Sequence, residues 1–410
     1  MLQPDADDPN PFVRYRARLH GYQVARAAGW EDARYADLVH ELDAAVAEVD
    51  GSGFVTTPLA RAVALDAALG FSGGGVWVKD ETGNVSGSHK ARHLMGVMLD
   101  LRIAEALGLA DPDAPLAIAS CGNAALAAAV VACAARRRLM VFVPPNAEVA
   151  VIERLQELHA EIEVCDRVEG QAGDPTVLRL EQAIADGAVP FTVQGNLNGL
   201  AVEGGATLGW ELIDQLRARD TAIDRLVIHV GGGAFASAAA LAFEEAHALG
   251  LVDRLPVIDT VQTRGGYPLS RAYERTLDRL GLAAGAPVGP AAIDNALRDA
   301  AHHRSRYMWP WETEPVSIAH GILDDETYDW LAVVRAMLLT GGRAVVVDEA
   351  TLRTANGHAL PDLGIDADHT GTAGLAGLIQ LARDGIVSPD ETVAVIFSGA
   401  RRASAADNPH

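Results

Sequence analysis

Cysteine is scarce in this chain of 410 residues, which contains only Cys121, Cys133 and Cys165 and no CxxC spacing. This pattern argues against a disulfide framework and is typical of a protein from a reducing compartment. No apolar run reaches the ~18 residues that a membrane-spanning helix requires. The acidic N-terminus also lacks the charged-then-apolar pattern of a signal peptide. These absences together predict a cytoplasmic protein.

Positive charge is also scarce, because 33 Lys and Arg face 55 Asp and Glu, for a formal net charge of −22. Such a field repels nucleic acid and anionic membrane surfaces, so neither is an expected partner. The histidines show no zinc-ligand spacing, and no GxSxG elbow occurs. The sequence therefore predicts no metal site and no Ser-His-Asp hydrolase.

Apolar segments typical of strands alternate with helical patterns of roughly 10 to 15 residues along most of the chain. The predicted strands cover residues 76–78, 115–119, 139–143, 162–164, 191–193, 225–230, 257–261, 344–347 and 392–397. The predicted helices cover residues 11–50, 90–108, 124–135, 148–159, 177–185, 234–248, 328–339 and 371–382. Residues 265–304 suggest further helices joined by irregular connections. This alternation predicts parallel βαβ units and an α/β fold.

The segment VWVKDETGNVSGSHKAR, residues 76–92, runs from a short apolar strand through a turn rich in Gly, Asn and Ser. Lys90 then begins a helical pattern, so its amine lies beside a loop of small polar groups. A lysine placed in this way is either a solvated surface charge or the anchor of an aldehyde cofactor. Taken alone, the surface charge is the commoner case.

A run of three glycines, Gly231 to Gly233, follows an apolar strand and opens a helix. Such a turn presents backbone N–H groups and the positive end of the helix dipole to an anion. Ala236 stands where GxGxxG requires its last glycine, and no GK[ST] follows. The turn therefore favours a phosphomonoester over a dinucleotide or triphosphate, and the alternative is a plain tight turn.

Two further turns follow predicted strands, SCGN at residues 120–123 and FSG at residues 397–399. The first could hold a carboxylate on its amides and could direct Asn123 to an oxyanion, or it could simply cap the next helix. Ser398 could be an ordinary turn residue. At the carboxyl end of a parallel strand, however, it would face the crevice where α/β sheets bind ligands.

The four motifs in this order resemble those of pyridoxal-phosphate (PLP) enzymes of fold type II, the tryptophan synthase β superfamily. The resemblance extends over roughly residues 54–401. It implies an α/β protein of two domains, with parallel-rich sheets flanked by helices and the cofactor in the cleft between them. The expected large PLP-binding domain comprises residues 1–81 and 189–410, and the expected small mobile domain comprises residues 82–188.

The resemblance also implies roles for individual residues. Lys90 would hold the cofactor aldehyde as a Schiff base and then act as the general base for the substrate α-proton. Asn123 would contact the ring hydroxyl. Ser398 would hydrogen-bond the pyridine nitrogen, where a neutral hydroxyl suits elimination over transamination. The residues implied to bind the cofactor phosphate are Gly231, Gly232, Gly233, Ala234 and Phe235. Those implied to receive the substrate carboxylate are Ser86, Ser88, Ser120, Cys121 and Gly122.

Within the superfamily, the chain resembles the threonine synthase and threonine or serine dehydratase branch, through segments such as EGGATLGWEL at residues 203–212. The alanine after the lysine, Ala91, resembles the residue that dehydratases have at this position, whereas synthases more often have aspartate. The histidine before the lysine, His89, resembles the residue of tryptophan synthase β. The expected function is a lyase that removes ammonia from L-threonine, L-serine or a related β-substituted amino acid. The alternatives are a β- or γ-replacement synthase and a catalytically silent small-ligand binder. The family expectation for assembly is a homodimer.

Overall fold

The computed structural model describes residues 8–167 and 173–402. The α-helices are α1 (Pro11–Arg14), α2 (His20–Ala27), α3 (Asp32–Asp50), α4 (Val63–Leu69), α5 (Lys90–Ala106), α6 (Asn123–Ala134), α7 (Val149–Glu157), α8 (Pro175–Ala185), α9 (Leu200–Arg217), α10 (Ala234–Ala248), α11 (Pro268–Leu280), α12 (Pro290–His302), α13 (Trp330–Thr340), α14 (Glu349–Leu363) and α15 (Ala373–Arg383). The strands are β1 (Leu59–Arg61), β2 (Gly75–Asp80), β3 (Leu116–Ala119), β4 (Leu139–Val143), β5 (Glu161–Val164), β6 (Val189–Pro190), β7 (Arg225–His229), β8 (Val257–Thr263), β9 (Ala344–Val347) and β10 (Thr392–Phe397).

The described chain divides into two compact units, which we name after one residue each. The Lys90 unit contains residues 8–56, 84–167, 173–208 and Arg402. The Ser398 unit contains residues 57–83 and 209–401. Helix α9 begins in the first unit and ends in the second.

The Lys90 unit is built on a four-stranded sheet in the order β5-β4-β3-β6, and all its strand pairs are parallel. Helix α6 packs against α5 and α3, while α8 packs against β3 and β4. The residues of α6 from Ala124 to Ala132 are all buried. Six of those nine are alanine, and such small side chains allow neighbouring helices to approach closely.

The Ser398 unit is built on a six-stranded sheet in the order β1-β2-β10-β7-β8-β9. The first pair, β1 and β2, is antiparallel, and the remaining pairs are parallel. Every residue of β7 and all but the first of β10 are buried. Parallel strands buried on both faces appear in a sequence as continuous apolar runs, which is why these two strands were predictable.

The α/β fold class predicted from the sequence is confirmed. Several local predictions were incomplete, since the predicted helix over residues 11–50 is three helices with a 3₁₀ turn after the first. The structure also contains elements that no sequence pattern suggested, namely β1, α4, α9 and α14. The strand expected over residues 191–193 lies instead at β6.

The boundaries of the two units differ from the predicted domain division. Residues 8–56 and 189–208 group with Lys90 rather than with the larger predicted domain. Two contacts explain this grouping, because α3 packs on α6 and His93 Nδ1 lies 2.7 Å from the carbonyl oxygen of Ala201. The roles assigned to the domains, cofactor binding and mobility, remain predictions.

No helix in the described part of the chain is both long and apolar enough to cross a membrane.

Candidate active site

Lys90 is the first residue of α5 and is half-buried. The chain contains only one other lysine, Lys79 on β2. The side chain of Lys79 is fully buried, and its Nζ donates to the Thr57 carbonyl oxygen at 2.7 Å and to Gln215 Oε1 at 3.0 Å, besides an ion pair with Glu211. Lys79 is thus fixed within the Ser398 unit, and Lys90 is the lysine that lies beside a polar loop.

The loop before Lys90, residues 84–89, is held by side chains. Ser86 has the left-handed φ of +56°, which is uncommon for a residue other than glycine. Its N–H donates to Asp50 Oδ2 at 2.7 Å, and Asn84 Nδ2 donates to the Ser88 carbonyl oxygen at 2.9 Å. The Oγ atoms of Ser86 and Ser88 are buried and have no hydrogen-bond partner among the described residues. Buried hydroxyls without partners are costly unless a ligand or water completes them.

The turn at Ser120 to Asn123 connects β3 to α6. Ser120 N–H donates to the Phe142 carbonyl oxygen at 3.2 Å, and Gly122 N–H donates to Ser120 Oγ at 3.4 Å. Gly122 is the N-cap residue of α6, and no side chain caps the helix. The turn therefore does not serve as a side-chain cap, which was the alternative for this motif. Cys121 is exposed and Asn123 is half-buried.

The three glycines follow β7 and lead into α10, with Gly233 as N-cap at a φ of +98°. The carbonyl groups of the turn are held within the Ser398 unit, since Thr327 Oγ1 donates to the Gly231 oxygen at 3.0 Å and the Asp329 N–H donates to the Gly232 oxygen at 2.8 Å. Among the described residues, no backbone carbonyl accepts a hydrogen bond from the N–H groups of Gly231 to Gly233 or of Ala234. The turn thus presents a row of N–H donors, not engaged by backbone carbonyls, at the start of a helix of 15 residues.

Ser398 directly follows β10 and is buried, with 1% of its surface exposed. Its N–H donates to the Gly371 carbonyl oxygen at 3.3 Å. Because β10 and β7 are parallel neighbours, Ser398 and the glycine turn lie at the same edge of the sheet. Within the Ser398 unit, the structure therefore brings these two predicted motifs together.

Two residues that the sequence did not suggest contact the motifs of the Lys90 unit, and one of them, Arg402, connects two motifs. Arg402 donates to Asn123 Oδ1 and to the Ser86 carbonyl oxygen, and Asp50 accepts from Ser86. Burial raises the pKa of Asp50, an effect that the Ser86 N–H and the charges of Arg154 and Arg402 oppose. No local pattern marks Asp50 or Arg402, because each acts through a contact distant in the chain.

His93 lies one helical turn after Lys90 and is fully buried. Burial, assisted by the positive charges of Lys90 and Arg92, lowers the pKa of His93 to about 3, against the raising effect of its bond with the Ala201 carbonyl. The imidazole is therefore neutral near pH 7. Its Nδ1 donates to that carbonyl, and its Nε2 is buried without a partner among the described residues.

A family model described as "Pyridoxal-phosphate dependent enzyme" matches residues 52–399. The chain belongs to this family, and its cofactor is pyridoxal 5'-phosphate. The predicted superfamily and cofactor are thus confirmed, whereas the roles of individual residues stay predictions.

Curated relatives carry two kinds of activity in their names. Threonine synthase of Methanocaldococcus jannaschii is 24% identical over 343 residues, which cover 84% of this chain and 74% of that protein. An L-serine dehydratase of Saccharomyces cerevisiae is 29% identical over 214 residues, which cover 50% of this chain and 61% of that protein.

Solved structures share the fold at low identity. The processed form of threonine deaminase isoform 2 from Solanum lycopersicum has a TM-score of 0.62 and 17% identity, covering 91% of this chain and 91% of that one. Diaminopropionate ammonia lyase of Escherichia coli has a TM-score of 0.64 and 15% identity, covering 90% of this chain and 88% of that one.

The residues present fit the cofactor at two places. The N–H groups of the glycine turn, which no backbone carbonyl engages, are suited to a phosphate, since a helix N-terminus attracts anions. The buried, unpartnered hydroxyls of Ser86 and Ser88 lie on the loop that ends at Lys90, where a small polar ligand would complete their hydrogen bonds.

Proposed function

We propose that the protein is a PLP-dependent lyase that eliminates the β-substituent of L-threonine, L-serine or a related amino acid. The products would be ammonia and a 2-oxo acid. The observation that carries the proposal is that the chain has only two lysines. Lys79 forms a buried ion pair, whereas Lys90 lies beside the loop that contains the Ser86 and Ser88 hydroxyls. An amine at that position serves as anchor and as base.

The bound cofactor supplies an electron sink for negative charge at the substrate Cα. In our proposal Lys90 Nζ anchors the cofactor and, once displaced, takes the α-proton. Asn123 Nδ2 donates to the ring hydroxyl oxygen, and Ser398 Oγ meets the pyridine nitrogen. The N–H groups of Gly231, Gly232, Gly233, Ala234 and Phe235 bind the phosphate. Ser86, Ser88, Ser120, Cys121 and Gly122 bind the substrate carboxylate.

The charges near the Lys90 loop favour elimination of an uncharged β-substituent. A phosphorylated substrate would need cationic side chains on the Lys90 loop. Arg402 contacts that loop, but its guanidinium donates to Asn123 and Ser86. A hydroxyl leaving group therefore suits this loop better than a phosphate.

The second candidate is a β- or γ-replacement synthase. It is supported by the relatives named threonine synthase, which match 84% of the chain. A synthase would add a nucleophile to the intermediate that forms when the leaving group departs. In a γ-replacement the nucleophile, such as water, would add at a carbon other than the one that lost the leaving group. The lyase would instead release that intermediate. We further propose that the enzyme works in the cytoplasm as a homodimer. Scattering or ultracentrifugation of the purified protein would test the dimer, and fractionation of cells would test the location.

Spectroscopy and product analysis test the proposal. Wild type should show an absorption band near ~410 nm from the lysine-bound cofactor, and Lys90→Ala should lack it. Borohydride reduction followed by peptide mass spectrometry should place the cofactor on Lys90 and leave Lys79 unmodified. Incubation with L-serine or L-threonine should release ammonia with pyruvate or 2-oxobutyrate. Formation of threonine from O-phosphohomoserine, without these products, would instead establish the synthase.

A further inference from the structure

Arg402 joins two motifs that lie far apart in the sequence. Its Nη1 donates to Asn123 Oδ1, and its Nη2 donates to the Ser86 carbonyl oxygen at 3.1 Å. Ser86 precedes Lys90 by four residues, and Asn123 is the first residue of α6. One guanidinium therefore contacts both the loop before Lys90 and the turn at Ser120 to Asn123.

The first contact determines which way the Asn123 amide faces. A guanidinium carries only donors, so it can bond the oxygen of a carboxamide and not its nitrogen. With Oδ1 accepting from Arg402, the two N–H donors of Nδ2 are directed away from the arginine. A flipped amide would place donors against donors, at the cost of the charge-assisted bond.

The second contact stabilises an uncommon backbone conformation. Ser86 has a φ of +56°, and a left-handed residue other than glycine costs about 1–2 kcal/mol. The residue is held from both sides, because its N–H donates to Asp50 Oδ2 at 2.7 Å and its carbonyl accepts from Arg402. Its hydroxyl is one of the two buried Oγ atoms without a described partner.

We propose that Arg402 is a positioning residue of this enzyme: it presents the N–H donors of Asn123 to the cofactor ring oxygen and holds Ser86 in its left-handed conformation. The inference rests on the proposed function, in which Asn123 meets the ring hydroxyl. A donor to that oxygen favours its deprotonated form. Loss of Arg402 should therefore weaken cofactor binding and alter the spectrum of the bound cofactor, although Arg402 itself does not contact the cofactor in this proposal.

The experiment uses the full chain as wild type, Arg402→Met, which removes every donor, and Arg402→Lys, which keeps a charge and N–H donors but lacks the planar fork of the guanidinium. The matched control is Arg138→Met, because Arg138 forms an exposed ion pair with Glu161 in the same unit. Each protein is stripped of cofactor, checked by circular dichroism, and titrated with pyridoxal phosphate. The readouts are the dissociation constant and the ratio of the ~410 nm band to the shorter-wavelength band.

We expect Arg402→Met to weaken cofactor binding about tenfold, the effect of losing a hydrogen bond to a charged group. Its spectrum should shift toward the shorter wavelength. Arg402→Lys should recover part of both changes, and Arg138→Met should match wild type. In an Asn123→Ala background, Arg402→Met should change the band ratio no further, since the two residues act as a unit.

Three results would overturn the inference. If Arg402→Met keeps the wild-type affinity and band ratio, Arg402 has no positioning role, although the proposed function stands. The same holds if the effects of Arg402→Met and Asn123→Ala on the ratio simply add. If wild type takes up no pyridoxal phosphate, the inference falls together with the proposed function.

Discussion

The imidazole of His93 lies directly against Gly205 of α9. A Cβ built on Gly205 would lie 2.1 Å from Cε1 of His93, far closer than any van der Waals contact. One turn along, a Cβ on Gly96 would lie 2.6 Å from the Cα of Gly204. Within the Lys90 unit, α5 and α9 therefore pack backbone to backbone, and His93 fills the space that the glycine leaves.

Gly205→Ala is expected to destabilise the protein. Overpacking of a buried contact costs about 1–3 kcal/mol, and the gain in helix propensity, at most ~1 kcal/mol, offsets only part of it. Gly357→Ala is the matched control, since Gly357 lies in α14, is exposed, and has nothing within 4 Å of its added Cβ. The midpoint of thermal unfolding should be lower than wild type for Gly205→Ala and slightly higher for Gly357→Ala. Equal shifts would show that α5 can move aside.

The neutral state of His93 predicts a pH dependence of stability. Burial lowers its pKa from 6.5 to about 3, so the folded state binds its proton less readily than the unfolded state. The stability that depends on neutral His93 is thus complete above pH 6.5 and is lost as the pH falls toward 3. The slope approaches about 1.4 kcal/mol per pH unit within that window.

The variant His93→Asn keeps a donor for the Ala201 carbonyl but cannot take up the proton. It should be less stable than wild type at about pH 7.5, yet its stability should fall less steeply toward about pH 4.5. Urea unfolding at a series of pH values measures both slopes. Parallel slopes for the two proteins would contradict a buried, neutral His93.

The contrast between α9 and β7 shows what the sequence could and could not predict. Strand β7 is apolar throughout its middle because both faces are buried, and its run is bounded by the glycine turn. Helix α9 contains Gly204, Gly205 and Gly209, which lower helix propensity and interrupt the helical pattern. Those glycines are required by partners distant in the chain, such as Ala242 against Gly209. Tertiary packing thus overrides local preference there.

The candidate site divides in the same way. The places of Lys90, Asn123, the glycine turn and Ser398 in the fold were predictable because each lies in a contiguous segment whose strand, turn and helix are visible locally, while their roles stay predictions. Arg402 was not, because its contacts span several hundred residues and two unremarkable arginines follow Ala400. Side-chain contacts of that separation leave no local pattern in one sequence.

Arg225 neutralises a buried acid in the Ser398 unit. Its side chain bonds Asp259, which is fully buried, and its Nε donates to Glu391 Oε2 at 2.8 Å. Arg225→Met should therefore destabilise the protein by roughly 3–5 kcal/mol, because it leaves the Asp259 carboxylate without its countercharge. Chemical unfolding at pH 7 measures the loss.

Burial already raises the pKa of Asp259, and Arg225 opposes that rise. Without Arg225 the pKa of Asp259 rises further. The loss of stability is therefore full above that pKa, and it becomes smaller as the pH falls and the Asp259 carboxyl protonates. The deficit of Arg225→Met should thus shrink in acid. Adding Asp259→Asn, whose Oδ1 can still accept from the Arg343 N–H, should recover part of the loss at pH 7. A loss below about 1 kcal/mol for Arg225→Met alone would show that the carboxyl is neutral in the native protein.

The glycine turn makes a prediction about cofactor affinity. Gly233 has a φ of +98°, and a Cβ there would lie 3.0 Å from Thr327 Cγ2 and 3.2 Å from Asp329 Cβ, so Gly233→Ala crowds the two residues that hold the turn. Gly250→Ala is the matched control, because Gly250 has a φ of +69° with nothing within 4 Å. Both variants incur a left-handed penalty of about 1–2 kcal/mol, but only the first crowds the residues that hold the proposed phosphate donors. Titration with pyridoxal phosphate should give about tenfold weaker binding for Gly233→Ala, the effect of disturbed bonds to a charged ligand, and wild-type affinity for Gly250→Ala. Equal affinities for the two variants would argue against the glycine turn as the phosphate site of the proposed cofactor.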